Sequence, residues 1–305
     1  MNPNRLRAYF YLILVAAIWG AAGPIIKFTL EGLDPLPFLS YRFAIASALS
    51  LVFFAVKLKK GKKFRRLKAN FSLAFVYGLL AVPIALGILF IGLDKTTVLD
   101  LTLIGVAGPL LVTAGGVHFF HDRITKRERI GILVVLAGVV LNSFFPIFKA
   151  GSSLKLTGNL LLLVFLAADA SSILIAKKAV QKGIKSSNLT SLAFIIGAVT
   201  IIPLTLIVHG PNNLIFTLAN LPLKYHLGVW YMALLSGSLA YYLYVRGQRS
   251  IEVSEAVLFN YLQPFFMIPL AVFWLGEKLS GSFFVGAIII ATGLVIVEYK
   301  KLSKK

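Results

Sequence analysis

Ten apolar runs follow one another along the chain, at roughly 8–28, 36–56, 71–92, 98–120, 129–148, 157–177, 188–208, 226–246, 254–275 and 281–299. Each is about 20 residues long, and 20 residues of helix rise about 30 Å, the thickness of a bilayer's hydrocarbon core. Lipid offers no hydrogen bonds, so a spanning segment must satisfy its own backbone, and runs of this length do so as helices. Hydrophobic residues make up 58% of the chain, more than a water-soluble core can use. The predicted fold class is an all-α integral membrane protein of ten transmembrane helices. The first run follows Arg5 and Arg7 but is longer than the apolar part of a signal peptide, and is read as helix 1. No stretch reads as a soluble domain.

The formal net charge of +20 is informative through its distribution. Arg5 and Arg7, the loop KLKKGKKFRRLK at 57–68, the segments 123–129 and 177–185, Arg246 with Arg249, and the C-terminal tail hold most of the 31 basic residues. Lys27, Lys95, Lys149, Lys155, Lys224 and Lys278 are what fall on the other face if the runs alternate direction. The positive-inside rule then puts both termini in the cytoplasm, in a multi-pass cell-membrane protein. The basic loop is expected to lie against anionic headgroups. No folded or aromatic-rich module accompanies it, so nucleic acid is not an expected partner.

The sequence GLDKTTVLDLTLIGVAGPLL, from Gly92, aligns with GQRSIEVSEAVLFNYLQPFF, from Gly247, at a constant offset of 155. Asp100 meets Glu255 and Pro109 meets Pro264. The register runs on: Asp122-Arg123-Ile124 meets Glu277-Lys278-Leu279, Gly131 meets Gly286, and Gly138 meets Gly293. Similarity at one fixed period marks an internal repeat. The chain divides into a first five-helix repeat at 1–150 and a second at 151–305. Five is odd, so the second repeat is inverted. Asp122 lies among Arg123, Lys126, Arg127 and Arg129, whereas Glu277 has only Lys278, which agrees with opposite faces. Inverted repeats are an architecture of secondary transporters, with the site near the midplane between the halves.

AAIWGAAGPIIKFTL and FLSYRF in the first two runs resemble the start of an EamA-type repeat of the drug/metabolite transporter superfamily. Trp19-Gly20, Lys27 and Arg42 fall where that pattern has them. The stretch from Glu255 to Val297 resembles the end of such a repeat, with Pro264, Glu277, Gly286 and Gly293 in place. The resemblance covers nearly the whole chain. It implies a ten-helix carrier of small metabolites, often amino acids and often exported. Asp169 departs from the pattern, and the resemblance gives it no role.

Asp169, in FLAADASSILIAKK, is the most costly residue for lipid. An intramembrane carboxyl faces an interior or a cavity, and function is its default reading. Ser172 follows it by nearly one turn. Pro264 and Pro109 are expected mid-helix, where proline frees the carbonyl four residues back; Asn260 and Gln263 bracket that point in the last repeat. Trp19, Gly20 and Pro24 are expected to form a broken point in helix 1, with Trp19 closing one wall of the site. Tyr242, with Tyr241 beside it, is the tyrosine expected nearest the path. Asp100 and Glu255 stand in first helical turns, where the macrodipole favours acids, or act as gates near opposite faces, Asp100 with Lys95 and Glu255 with Arg249 or Arg246. Arg42 pairs with Asp100 or Asp34, or contacts substrate. Asp122 and Glu277 read as structural turn elements, and Thr125 with Glu128 as a capping box.

There is no cysteine, so disulfides and thiolate chemistry are excluded. His118 and His121 lack further ligands at suggestive spacing, and no phosphate loop or nucleophile elbow occurs. No metal, cofactor or catalytic residue is expected. The predicted function is alternating-access transport of a small organic metabolite, an amino acid or related compound, in the export direction. Helices 1, 3, 4, 6, 8 and 9 would line the path, and the energy would come from a gradient of protons or of the substrate. A broad drug-efflux carrier is the nearest alternative; a polytopic enzyme or a scaffold stands further off. A monomer suffices for the pairing of the halves, and a homodimer is compatible with it.

Overall fold

A computed structural model describes residues 3–59, 65–121, 124–145, 153–247 and 259–303. Glu255, Asp122 and Arg249, and with them the expected inner gate, lie outside the described residues. Every described element is helical, with no strand. The helices are α1 (Pro3–Leu30), α2 (Pro35–Lys59), α3 (Phe71–Lys95), α4 (Val98–Phe120), α5 (Lys126–Phe144), α6 (Ser153–Gln181), α7 (Ser186–His209), α8 (223–247), α9 (259–274) and α10 (Gly281–Ser303). Two short helices, Arg65–Ala69 and Pro211–Ala219, complete the set.

Six of these, α1 to α4 with α6 and α7, are long and apolar enough to cross a membrane; the apolar part of α10, Gly281–Val297, is shorter. Several of the long helices are irregular. A π-helical stretch, Leu80–Leu86, surrounds Pro83 in α3, and a second, Tyr231–Leu239, occupies the middle of its repeat mate α8. Such stretches admit an extra residue per turn and rotate whatever follows. Pro109 and Pro264 do not kink continuous helices as expected. α4 stops at Gly105 and restarts at Gly108, and α9 passes from a 3₁₀ turn, Phe259–Leu262, into a helix beginning at Gln263. Each proline thus occupies the first turn of a new segment, where its missing N–H costs no bond. α1 departs from expectation the other way: it runs through Pro24 without interruption.

Reciprocal glycine contacts carry the two-fold relation of the repeats. A Cβ on Gly131 would lie 2.8 Å from the Gly293 carbonyl, and one on Gly293 would lie 2.9 Å from the Gly131 carbonyl. Gly138 packs on Ile289 and Ile290 while Gly286 packs on Asn142. Early α5 therefore meets late α10 and late α5 meets early α10, so the two helices are antiparallel and exchange places under the 155-residue offset. The same relation joins α3 to α6 and α8 to α1. Gly92 abuts the Gly158 carbonyl, and Gly247, its mate, abuts the Ala8 carbonyl.

The core is drawn from both halves, with Phe38, Leu39 and Phe43 of α2, Phe90 and Leu93 of α3, Ile104 of α4 and Leu162 of α6 fully enclosed. Phe38 and Phe90 meet edge to face at 4.8 Å. Large apolar side chains such as Val52, Ile207, Phe265 and Phe273 (88% accessible) point outward. An apolar exterior on this scale is what lipid requires and water penalises.

Candidate functional site

One end of the bundle is held by a polar network, here called the Glu277 end. Thr97 caps α4 and accepts from the Asp100 N–H. The Asp100 carboxylate, 5% exposed, receives Thr97 Oγ1 at 2.6 Å, Lys155 Nζ at 2.8 Å, Asn142 Nδ2 at 3.0 Å and Thr96 Oγ1 at 3.3 Å. Its cation is Lys155 of α6, not Lys95 or Arg42. Thr96 also donates to Asn159 Oδ1, and Asn159 Nδ2 to the Ser143 carbonyl. The starts of α4 and α6 and the end of α5 are thereby tied together. Glu277 spans the repeats: its carboxylate accepts the Val98 N–H at 2.7 Å and the Leu99 N–H at 2.9 Å, covering the orphan donors of α4. Burial pushes the Glu277 carboxyl above the usual carboxylate range, while the two N–H donors pull it back and the neighbouring Asp100 adds to the rise. Lys27 Nζ binds the Leu93 and Asp94 carbonyls, each at 2.9 Å. A cavity of about 310 Å³ opens among Lys27, Asp94, Thr97, Lys155 and Glu277.

Toward the other end, polar groups of four helices converge on the interior. Tyr241 of α8 interacts electrostatically with Arg42 of α2, Tyr77 of α3 and Asp169 of α6, and with Tyr244 of its own helix. Tyr77 also interacts electrostatically with Asp169. Tyr241 retains 45% of its surface, and its ring lies 5.4 Å from Trp19 of α1. Asp169 lies about 24 Å along α6 from Ser153, at a half-buried position, and its carboxyl has no hydrogen bond or ion pair among the described residues. Arg42 is 5% exposed, and Nε and Nη1 are buried without a partner. Its guanidinium lies 5.7 Å from the ring centroids of Phe43 and Phe90.

Trp19 stands at the edge of this group. Its indole N–H donates to the Ser236 carbonyl, in the π-helical part of α8, and its ring lies 5.4 Å from Tyr241 and 5.3 Å from Tyr244. Tyr231 Oη donates back to the Ile18 carbonyl at 2.7 Å, so α1 and α8 are fastened reciprocally.

Three expected cavity residues lie elsewhere. Gly20 packs on α9: a Cβ there would come within 2.8 Å of the Gln263 carbonyl and of Phe266 Cβ, so its role is close helix approach. Ser172 is buried and donates to the Asp169 carbonyl within its own helix. Tyr242 turns to the surface, 58% exposed, and accepts from Arg246 at 2.9 Å; Tyr241 is the inward residue. Asn260 and Gln263 pair with each other at 3.4 Å across the start of the α9 segment. Tyr77 went unremarked in the sequence, where it sits in a largely apolar helix.

Among the described residues no three His, Asp or Glu side chains gather as a metal site. The central group holds one carboxyl, one guanidinium and several phenols, which can bind and orient a solute.

An all-helical chain with an apolar exterior and buried polar groups is a multi-pass membrane protein. The chain belongs to the EamA-like transporter family, whose model matches residues 6–144 and 156–299. It is 25% identical over 297 residues to an uncharacterized transporter of Bacillus subtilis, covering 96% of this chain and 93% of that one. It is 23% identical over 291 residues to a "Probable amino-acid metabolite efflux pump" of Salmonella typhimurium, covering 94% and 93%. An Escherichia coli protein of the same title is 24% identical over 288 residues, covering 93% and 92%. A solved structure titled "Crystal structure of protein" matches with TM-score 0.64 over 99% of both chains at 16% identity, a likeness of fold alone.

Proposed function

We propose that this protein is a secondary carrier that exports a small organic metabolite by alternating access. The bilayer is crossed ten times by two inverted five-helix repeats, 1–150 and 151–305, with both termini in the cytoplasm. The observation that carries this reading is the Asp169 carboxyl, half-buried about 24 Å along α6, with Tyr77 and Tyr241 in electrostatic reach and no hydrogen-bond or ion-pair partner among the described residues. A carboxyl left unpartnered inside a membrane protein is expensive, and binding of a proton or of a cationic group relieves that cost.

In this reading the substrate site lies around Asp169 and the Glu277 end is a closed outer gate. Asp100, Lys155 and Glu277 hold it shut, and the repeat supplies a second arrangement of comparable energy in which the gating is reversed. Asn260 and Gln263 line the path where α9 begins, and a gradient of protons or of the solute drives the cycle. The titles of the Salmonella and Escherichia coli relatives support export of amino-acid metabolites. A second reading, broad efflux of aromatic or cationic compounds, is favoured by the aromatic surroundings of Asp169, namely Tyr77, Tyr241 and, beyond them, Trp19 and Tyr244.

A thermal-shift screen of the purified protein against pooled amino acids, nucleobases, polyamines, sugars and cationic drugs tests both. A ligand of the folded state stabilises by about 2.7 kcal/mol at 100 times its dissociation constant. A shift from one metabolite class, lost in Asp169→Asn, supports the metabolite carrier. Shifts from hydrophobic cations alone support efflux. The absence of any shift from every pool counts against a soluble substrate.

A further inference from the structure

Residues 57–70 and 177–190 hold eight and four Lys and Arg, with no Asp or Glu in either segment. The fold brings them to one corner at the end opposite Glu277, where α2 ends, the short helix Arg65–Ala69 lies, and α6 turns into α7. Lys57 Nζ donates to Asn188 Oδ1 at 2.7 Å and to Ser187 Oγ at 3.3 Å, which ties the end of α2 to the start of α7. Leu67 of the short helix packs on the cluster of Ala74, Ala179, Ile184 and Leu189, while Arg65, Arg66 and Lys68 stay exposed. The α6–α7 turn is fixed by its own backbone. Gly183 takes a φ of 82°, its N–H donates to the Val180 carbonyl at 2.8 Å, and the Ile184 N–H donates to the Ala179 carbonyl at 3.2 Å. Arg66 lies against this turn, with Cγ, Cδ and Nε each 3.7 Å from where a Cβ on Gly183 would stand. Apolar packing thus draws Arg66 up to a turn flanked by the exposed Lys182 and Lys185, with Lys178 one helical turn back. Among the described residues, none of these exposed cations forms an ion pair with a carboxylate. Like charges gathered in this way repel unless an anion lies among them.

We infer that this corner is a binding site for an anionic phospholipid, which clamps the short helix of the first repeat to the α6–α7 turn of the second. Arg66, Lys182 and Lys185 receive the phosphate, the guanidinium supplying paired N–H donors. What selects a lipid over a soluble anion is the border of the patch. Leu58 at the end of α2, Phe71 and Phe75 at the start of α3, and Val180 of α6 all expose apolar surface, and the two phenyl rings stack at 5.9 Å. Acyl chains cover such a border, and inorganic phosphate cannot. The absence of Asp and Glu from both segments selects an anionic headgroup over a zwitterionic one, because a choline ammonium would find only like charges there. The inference goes beyond the placing of one basic loop near headgroups, since the site is built from both repeats, and it holds whatever the solute.

The test is native mass spectrometry and thermal unfolding of the purified full-length protein in a neutral detergent. Dioleoyl phosphatidylglycerol and dioleoyl phosphatidylcholine are added at equal mole fraction, and inorganic phosphate in a separate series. Phosphatidylglycerol should bind at least about tenfold more tightly than phosphatidylcholine and raise the melting temperature. Arg66→Gln, Lys182→Gln and Lys185→Gln should each weaken it about fivefold, the scale of one basic residue at an anionic surface. The triple variant should lose the preference. The control pairs Lys182→Gln/Lys185→Gln with Lys224→Gln/Lys278→Gln, which removes two charges at the Glu277 end and should leave the preference unchanged. Equal binding of the two lipids to the wild type overturns the inference, and this comparison stands even if a variant does not fold. An equal loss in the two double variants overturns it as well, since net charge alone would then draw the lipid. A rise in melting temperature with inorganic phosphate as large as that with phosphatidylglycerol overturns the assignment to a lipid. None of these outcomes bears on the carrier reading.

Discussion

The Asp100 network allows a perturbation whose asymmetry follows from geometry. Asp100→Ala removes the acceptor of four bonds, at 2.6, 2.8, 3.0 and 3.3 Å, and leaves the Asn142 amide and Lys155 without their acceptor. Deleting one partner of a buried polar pair costs about 3–5 kcal/mol. The lower end applies because the Lys155 side chain is 37% exposed and can turn to water. The expected cost of Asp100→Ala is therefore about 3 kcal/mol. Lys155→Ala leaves Asp100 with three neutral donors and removes a partly screened charge, so it should cost under about 1 kcal/mol. The double variant should be close to Asp100→Ala alone. The assay is denaturant or thermal unfolding of the four proteins in one detergent, followed by tryptophan fluorescence and read as a double-mutant cycle. Equal costs for the two single variants would refute the reasoning, since they would mean that the ion pair, and not the set of buried hydrogen bonds, fastens this end.

Other consequences can be checked in the same preparations. Gly131→Ala or Gly293→Ala places a Cβ within 2.9 Å of the facing backbone and should destabilise by about 1–3 kcal/mol through separation of α5 and α10, seen as a lowered unfolding midpoint. Trp19→Phe removes the bond to the Ser236 carbonyl and should cost about 1 kcal/mol in the same unfolding assay. Glu277 gives a pH signature. Its carboxyl is raised in the folded protein, so the folded state favours the protonated form; that contribution is full below the ordinary carboxylate value and is lost as pH rises through the raised one. Glu277→Gln should flatten this fall in melting temperature, and Glu277→Ala, which leaves the Val98 and Leu99 N–H groups without their acceptor, should be the less stable variant at every pH.

Much of the fold was legible because its signals are local or periodic. The run length anticipated helices, six of them long and apolar enough to cross a membrane, and the constant offset anticipated a two-repeat chain. The glycines at 131, 138, 286 and 293, which the repeat aligns, pack at the α5–α10 crossing. The capping box also held, with the Thr125 N–H donating to Glu128 at 2.6 Å and Thr125 Oγ1 accepting in return. The site was legible in kind and not in detail. Asp169 stood out because carboxyls are rare in lipid. The choice between Tyr241 and Tyr242 depends on helix phase, and the π-helical stretch just before them, Tyr231–Leu239, shifts that phase by about one residue. Partners such as Lys155 for Asp100, or the Gln263 carbonyl for Gly20, are set by which helices meet, and no spacing within one helix encodes that. Ser172 illustrates a general ambiguity: a hydroxyl in a helix can bond its own backbone as readily as a ligand.

The most direct measurement is solute flux in proteoliposomes, with wild-type protein and Asp169→Asn reconstituted side by side at matched density and orientation. The account predicts saturable counterflow of one class of small organic solute by the wild type, lost in a variant whose melting temperature shows that it is folded. Equal flux through both would contradict the central place given to Asp169. No wild-type counterflow of any solute that binds would contradict the carrier itself.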